Sequence, residues 1–406
     1  MLKKVGIFHI FPFLIACFAF YISYYFIFSK LIDEHVTIEK LNTKIITGKQ
    51  VKFSGKYGNL SETDQAEFEF IASIKNKNQL TLMGSSEFSY TPYATYNFLP
   101  ITKKYQIIGL GHAHHQSLSM FIELLATHKE NKESKIVFFI SPGWFDTKGT
   151  NSEAFIEFAK PNFFNRISNN PDIKNEYKAY IGQYIDSRFN EFEGVSKSMT
   201  YFRDLFIKNQ SAQLSSNKLE LFIKNNFSGT KSKVTIQDID YQVDLLTNTP
   251  NSIKINYDSI ANQLQTEFIS NINSNSIYVY DEYYNTYLID DNGKEKFVTL
   301  DQPNLKTNEE YRDFKMLVKY VTERDMKASF ILIPFNPYYY RNAETYLPLM
   351  DSITTLLNHN SLPYYNLYVS DTSNYDPGIL KDVMHFGDYG WIKVNKYIDS
   401  LYYGNY

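Results

Sequence analysis

Cysteine is almost absent from this sequence. The 406 residues include a single cysteine, Cys17, so no disulfide can form within the chain and no zinc site with several cysteine ligands can be built. Cys17 also lies in the most apolar segment, which argues against a catalytic thiol. A chain of this length has enough hydrophobic core to fold without disulfides.

An excess of charge of either sign is also absent. The chain has 41 Lys and Arg against 44 Asp and Glu, a formal net charge of −3, so its charge predicts no nucleic-acid partner. Aromatic residues, in contrast, make up 17% of the chain, with 34 Tyr and 32 Phe. Such residues are suited to a membrane surface or to the lining of a groove, and composition alone does not separate the two.

Charged residues are missing from "VGIFHIFPFLIACFAFYISYYFIF", residues 5–28. At 1.5 Å rise per residue, this run is long enough to cross a hydrocarbon core of about 30 Å. Lys3 and Lys4 precede it, which favours a cytoplasmic N-terminus. The run ends in Tyr and Phe rather than in the small residues of a cleavage site, so it indicates an uncleaved anchor. We therefore expect residues 1–30 to be a single-pass anchor in the cell membrane, with the main domain outside the cell.

Five short apolar runs predict the buried strands of a parallel sheet. They lie at 80–83, 106–109, 136–140, 328–334 and 364–369. Amphipathic helical patterns lie between several of them, at 116–128 and 308–325. This alternation of strands and helices predicts an open, doubly wound α/β fold.

The remaining segments give the domain organisation. Residues 31–76 are charged and mixed, and we interpret them as a juxtamembrane connection followed by a helix near 62–75. Residues 77–406 then form one extracytoplasmic domain. Within it, about 151–303 is predicted to be a largely helical insertion, with a polar loop at 208–233.

The loop after the first sheet strand reads Gly84-Ser85-Ser86-Glu87. Open parallel sheets bind their ligands beyond the carboxyl ends of the strands. The glycine permits a tight turn, and a serine after it can begin a helix with its own N–H group directed at an oxyanion. Alternatively, Ser-Ser-Glu is an ordinary helix N-cap.

The second loop contains Gly109-Leu110-Gly111-His112, in which Gly111 would allow a substrate oxygen to approach the backbone closely. The histidines at 112, 114 and 115 suggest a metal site. Such a site needs three or four converging ligands, which adjacent residues of one loop seldom provide. A polar loop rim is therefore favoured, and no metal or cofactor is predicted.

The third segment contains Asp382 and His385. Residues three apart share one face of a helical turn. The carboxylate could then orient the imidazole and stabilise its charged form, as in the base half of a Ser-His-Asp triad. The alternative is a surface turn, in which Asp388 caps the final helix.

Taken in order, the Gly-x-Ser loop, the glycine loop and Asp-x-x-His resemble the SGNH hydrolase superfamily. With the N-terminal anchor, the segments "GSSEF" (84–88), "SPGWF" (141–145) and "DVMHFGDYGW" (382–391) are similar to the D-alanyl-lipoteichoic acid biosynthesis protein D family. The resemblance covers nearly the whole chain. It implies an SGNH-hydrolase-like (flavodoxin-like) parallel sheet flanked by helices.

The resemblance also implies roles for individual residues. Ser86 matches the nucleophile, Asp382 and His385 match the rest of the triad, and the N–H groups of Ser86 and Gly111 match the oxyanion hole. Ser85 competes as the nucleophile. Where the superfamily carries an Asn donor, this chain has Gly143, which offers only a backbone N–H group.

Two further residues are expected at the substrate, Glu87 and Trp144, although Trp144 is equally suited to packing at the sheet edge, and Trp391 is expected in the core. The implied activity is acyl transfer from a D-alanyl donor to lipoteichoic acid. The implied partner is a membrane-bound O-acyltransferase. The alternatives are a secreted carbohydrate esterase or O-acyltransferase of the same fold, and a non-catalytic scaffold for a membrane acyltransferase.

Overall fold

The computed structural model describes most of the chain from the first sheet strand onward. The described residues are 50–54, 79–86, 88, 91–103, 106–111, 114–128, 135–146, 149–152, 154–155, 161–192, 196–207, 233–237, 255–272 and 275–404. The predicted anchor, the predicted helix near 62–75 and the predicted loop up to residue 232 lie outside them, as does Glu87. Within these ranges, none of the helices combines the length and the apolar character that a bilayer crossing requires.

The strands are numbered in chain order. They are β1 (Gln50–Ser54), β2 (Gln79–Gly84), β3 (Gln106–Gly111), β4 (Lys135–Ile140), β5 (Lys233–Gln237), β6 (Val298–Thr299), β7 (Lys327–Leu332), β8 (Tyr340–Arg341) and β9 (Tyr364–Asn366).

The longer helices are numbered in the same way. They are α1 (Thr95–Lys103), α2 (Ser117–Ala126), α3 (Pro161–Asn169), α4 (Asn175–Ser187), α5 (Ser196–Ile207), α6 (Tyr257–Asn271), α7 (Glu309–Glu323), α8 (Leu347–His359) and α9 (Asp388–Tyr403).

The central sheet has five parallel strands in the order β3-β2-β4-β7-β9. When only these five strands are counted, in chain order, the order across the sheet is 2-1-3-4-5, which is an open doubly wound arrangement. The chain leaves β2 on one side to form β3 and then returns to the other side to form β4. Ligands bind beyond the carboxyl ends of the strands at such a reversal. The predicted α/β fold with a parallel sheet is confirmed.

The strands are apolar because both faces of the sheet are covered. Side chains alternate between the faces with a period of two. Phe138 therefore enters one core, where it stacks on Phe330 of β7 at a ring-centroid distance of 5.0 Å. Phe139 enters the core on the opposite face, 5.5 Å from the ring of Trp391. Trp391 is fully buried, so its predicted place in the core is confirmed.

Helices α2, α7 and α8 contribute to the first core, together with α3, α4 and α5, whereas α1, α6 and α9 contribute to the second. Helix α7 starts where its capping residue predicts. The Oδ1 atom of Asn308 accepts a hydrogen bond of 2.8 Å from the N–H group of Tyr311, which satisfies one of the free donors of the first turn.

The insertion differs from the prediction in one respect. The segment 151–303 contains four of the helices and also strands β5 and β6. Strand β5 pairs antiparallel with β1, which lies in the segment interpreted as a juxtamembrane connection. Sequence periodicity missed this pair because the two strands lie far apart in the chain.

Candidate active site

Strands β2 and β3 end side by side, and Gly84 pairs with Gly111. A Cβ atom on Gly111 would lie 2.8 Å from the carbonyl oxygen of Gly84, so only glycine allows the two strand ends to approach this closely. The prediction of a loop at Gly109–Gly111 was wrong, because β3 continues to Gly111. The N–H group of Gly111 is therefore held by a strand end rather than by a flexible loop.

Ser85 and Ser86 follow β2 directly and differ in exposure. Ser85 is only 4% exposed, whereas Ser86 is exposed in a turn. The expectation that the serine opens a helix was wrong, because the next helix among the described residues begins at Thr95. Of the two candidate nucleophiles, Ser86 is the accessible one.

Asp382 and His385 are in direct contact. The Oδ2 atom of Asp382 lies 2.8 Å from Nδ1 of His385. Its Oδ1 atom accepts hydrogen bonds from the backbone N–H groups of Met384, at 2.9 Å, and His385, at 2.8 Å. These bonds form an aspartate-closed turn, so the expected helical turn was wrong although the predicted carboxylate–imidazole contact is present.

The ionisation of Asp382 follows from these bonds. Burial by itself would raise the pKa of Asp382, but the hydrogen bond and charge of His385, together with the two backbone N–H groups, lower that pKa below its ordinary value. An ionised carboxylate only accepts hydrogen bonds, so Nδ1 of His385 carries the proton and Nε2 is the basic nitrogen. The His385 side chain is 26% exposed, which leaves it accessible to a substrate.

An aromatic cluster brings the serine turn and the Asp382–His385 turn to the same end of the sheet. Phe88, two residues after Ser86, packs with its ring 5.2 Å from that of Phe139 at the end of β4. Phe386, next to His385, packs 6.2 Å from the same ring. Both rings also contact Trp391, at 6.2 Å and 5.3 Å.

The segment after β4 supplies the third loop at this edge. Pro142–Phe145 forms a 3₁₀ turn in which Gly143 is exposed, as a backbone oxyanion donor must be. Trp144 is only 7% exposed and belongs to the core with Phe138, so it packs beneath this edge rather than presenting a face to a substrate. The amide of Asn308 donates to the Phe145 carbonyl at 3.0 Å and fixes the turn.

Asp388, which the alternative interpretation of this segment placed at the cap of the final helix, is not the capping residue. The N-cap of α9 is Gly387, and Asp388 lies in the first turn, where it accepts a hydrogen bond from the hydroxyl of Thr91. Burial raises the pKa of Asp388, with that hydrogen bond only partly opposing it. Asp388 thus links α9 to the segment before α1.

Tyr283 interacts electrostatically with Asp382. A helical turn, Asp281–Tyr283, continues into a π-helical turn, Tyr284–Leu288, and Val383 packs against Leu288. Burial and then the charge of Asp382 raise the pKa of Tyr283 to about 12. Tyr283 therefore stays neutral at physiological pH, and Asp382 remains the local anion beside His385.

The two described histidines of the loop after β3 differ in exposure. His114 is exposed and has a positive φ of 67°, but His115 is 1% exposed and lies 2.8 Å from the carbonyl oxygen of Gly84. Among the described residues, no three His, Cys, Asp or Glu side chains converge as metal ligands would.

Sequence reasoning missed the residues that support this edge, namely Phe88, Phe139, Phe386 and His115. The repeated histidines drew attention to the right loop, but they suggested a metal and not a contact with Gly84. The three phenylalanines carry no local signal of their association, because they come from distant parts of the chain.

Known proteins resemble this chain over most of its length. The family model described as DltD protein matches residues 62–403. Protein DltD of Bacillus subtilis (strain 168) is 24% identical over 383 residues, which cover 89% of this chain and 91% of that relative.

Proposed function

The chain belongs to the DltD family, and on that premise we propose that it is a membrane-anchored serine acyl-transfer protein in the D-alanylation of teichoic acids. The observation that carries the proposal is the contact between ionised Asp382 and Nδ1 of His385, at 2.8 Å. It lies at the same sheet end as the exposed Ser86 and makes Nε2 of His385 a base.

In the proposed first step, Nε2 of His385 takes the hydroxyl proton of Ser86. The Oγ atom then attacks the carbonyl carbon of a D-alanyl ester or thioester. The N–H groups of Ser86, Gly111 and Gly143 would stabilise the oxyanion. When the tetrahedral intermediate collapses, the bond to the donor breaks, the leaving group takes the proton from His385, and D-alanyl-Ser86 remains.

In the second step, a hydroxyl group of the teichoic acid attacks the acyl carbon while Nε2 of His385 takes its proton. The bond to Ser86 breaks, and Oγ recovers the proton from the imidazolium. Asp382 stabilises the imidazolium in both steps. The backbone N–H group of Gly143 would take the place of the side-chain donor of the superfamily, and a donor of this kind contributes about 3 kcal/mol of transition-state stabilisation.

The cellular setting is part of the same proposal. Residues 1–30 would anchor the chain in the cell membrane, with an SGNH-hydrolase-like domain on the outer face, where lipoteichoic acid is the acceptor. The strand order 2-1-3-4-5 and the position of the serine after the first sheet strand support this assignment of the fold. A membrane-bound O-acyltransferase would deliver the D-alanyl group.

Reaction of the full-length chain in detergent micelles with a fluorophosphonate tests the proposal. We expect one adduct by intact mass, absent in Ser86→Ala and formed far more slowly in His385→Ala. The matched control is Ser85→Ala, which removes the neighbouring buried hydroxyl and should still be labelled. A folded wild-type protein that gives no adduct, in micelles or in native membranes, would reject the acyl-enzyme and favour a scaffold.

An assay with and without the acceptor polymer distinguishes acyl transfer from hydrolysis. After labelling has identified the serine, a D-alanyl thioester is supplied with and without purified lipoteichoic acid. Ester formation on the polymer supports the transferase. Release of free D-alanine regardless of the polymer indicates an esterase of the same fold.

A further inference from the structure

We propose that His115 and Glu123 form a buried positioning pair that sets the distance between the two strand ends carrying the oxyanion donors. The inference rests on the proposed function, since it assigns a task within that site. His115 would act on the backbone of the serine turn and would not touch the substrate.

The first observation is the contact of His115 across the strand ends. His115 lies just beyond the end of β3, yet its Nδ1 atom is 2.8 Å from the carbonyl oxygen of Gly84 at the end of β2. Gly84 immediately precedes Ser85 and Ser86, and Gly111 is its strand partner. One side chain therefore joins the segment that bears the Gly111 N–H group to the segment that bears Ser86.

The second observation is the acidic partner of the ring. Nε2 of His115 lies 3.2 Å from Oε2 of Glu123, with the two side chains 1% and 6% exposed. Glu123 belongs to α2, whose residues are buried along its length. The ring is thus held between a helix in the core and the end of a strand.

The chemistry of the three groups fixes the direction of the bond to Gly84. A carbonyl oxygen can only accept, so Nδ1 of His115 must carry a proton and donate it. Nε2 faces the carboxyl group of Glu123 at 3.2 Å, and both side chains are enclosed by the protein. An enclosed ring suits a part that holds geometry and does not exchange protons with a substrate.

Tight positioning matters here because the N–H groups of Ser86 and Gly111 must both donate hydrogen bonds to the same oxyanion. Displacement of a catalytic group by about 1 Å can reduce a rate by about 100-fold. Loss of the His115 bond would leave the Gly84 carbonyl without this donor and relax the spacing of the two strand ends. We expect the acylation step to suffer while binding of the reagent changes little.

The experiment compares His115→Leu, His115→Asn and His128→Leu in the full-length chain. The Nδ2 group of asparagine lies close to the position of Nδ1 and can still donate to Gly84. His128 is the matched control, because it is 6% exposed just beyond the other end of α2, where its Nδ1 lies 2.9 Å from the hydroxyl of Tyr320.

Two readouts are taken, the fluorophosphonate labelling rate at saturating reagent and backbone hydrogen exchange of the peptides covering 80–88 and 106–111. For His115→Leu we expect labelling about 10-fold to 100-fold slower at similar half-saturation, with faster exchange in both peptides. His115→Asn should recover most of the rate. His128→Leu should lower the melting temperature but leave the labelling rate within about twofold of wild type.

Equal labelling rates and equal exchange in His115→Leu and His128→Leu would overturn the positioning role, as would failure of His115→Asn to recover the rate. Absence of labelling in the wild-type protein would instead reject the acyl-enzyme. In that case the exchange comparison alone decides whether His115 positions the strand ends.

Discussion

The pKa values of the buried carboxylates at two sites in this protein are shifted in opposite directions. Asp382, beside the serine turn, is 6% exposed, and Glu310 and Asp313, on α7, are 0% and 1% exposed. Hydrogen bonds and the charge of His385 lower the pKa of Asp382 in spite of its burial. Burial raises the pKa of Glu310, with the charge of Asp313 adding to the effect, and burial also raises the pKa of Asp313.

The number of donors accounts for the difference. Asp382 accepts three hydrogen bonds, two from backbone N–H groups and one from His385. Glu310 accepts one from the Ser117 N–H group, at 3.0 Å, and Asp313 accepts one from the hydroxyl of Tyr180. Among the described residues, the second oxygen of each acid on α7 has no hydrogen-bond partner.

Burial therefore does not decide the ionisation of these acids by itself. Three donors are sufficient to keep Asp382 charged at the edge of the sheet, where a charged acid is needed to orient His385. On α7, one donor for each acid is insufficient, and the protonated form is favoured. The first site is suited to chemistry, and we expect the second to make the stability of the fold depend on pH.

The largest effect is expected from Asp382→Asn, which removes the charged carboxylate beside His385. The amide can present an N–H group to the ring, so that the imidazole proton moves to Nε2 and the base is lost. By analogy with serine hydrolase triads, fluorophosphonate labelling of Ser86 should slow by about 10⁴-fold. The control is Asp313→Asn, the same chemical change at a buried acid outside the site, and similar labelling losses in both variants would refute this role for Asp382.

A moderate effect on the stability of the wild-type fold is expected from a change of pH. Because the folded-state pKa values of Glu310 and Asp313 are raised, the stability they contribute is complete below the ordinary carboxyl pKa of about 4 and is lost as pH rises through the raised values. For Asp382, whose folded-state pKa is lowered, the loss occurs instead as pH falls below about 4.

We expect the melting temperature of the wild-type chain to fall between pH 5 and pH 8.5, by about 2–5 °C for a loss of a few kcal/mol. Trp144 and Trp391, the two tryptophans, are both buried, so their fluorescence reports the transition. Combining Glu310→Gln with Asp313→Asn should flatten the dependence. A variant with the wild-type slope would show that these acids keep ordinary pKa values.

The smallest effect is expected from Tyr180→Phe, which removes the hydrogen-bond donor of Asp313. The pKa of Asp313 should rise further, and stability at pH 8 should fall by about 1 kcal/mol more than at pH 5. Tyr184→Phe is the matched control, because the Tyr184 hydroxyl donates to the Thr150 carbonyl at 2.6 Å and not to a carboxylate. Equal pH slopes in the two variants would contradict the assigned role of the donor.

Much of the scaffold was predictable because its signals are local. The runs at 136–140 and 328–334 correspond to β4 and β7, and the pattern at 308–325 corresponds to α7. The boundaries shifted where pairing extended a strand, as at Gly111, or where a side chain closed a turn, as at Asp382. Hydrogen bonds between segments decide such boundaries, and periodicity within one segment does not report them.

The sequence by itself determined the five strands of the central sheet and helices α2 and α7. It also indicated the contact of Asp382 with His385, because residues three apart in a tight turn are neighbours. Only the tertiary structure decided which serine is exposed, that Phe88 and Phe386 meet on Phe139, and that His115 reaches Gly84. It also decided that Asp382 is charged while the acids on α7 favour their protons. These properties depend on groups from distant segments, and the sheet brings those groups together only when its strands pair.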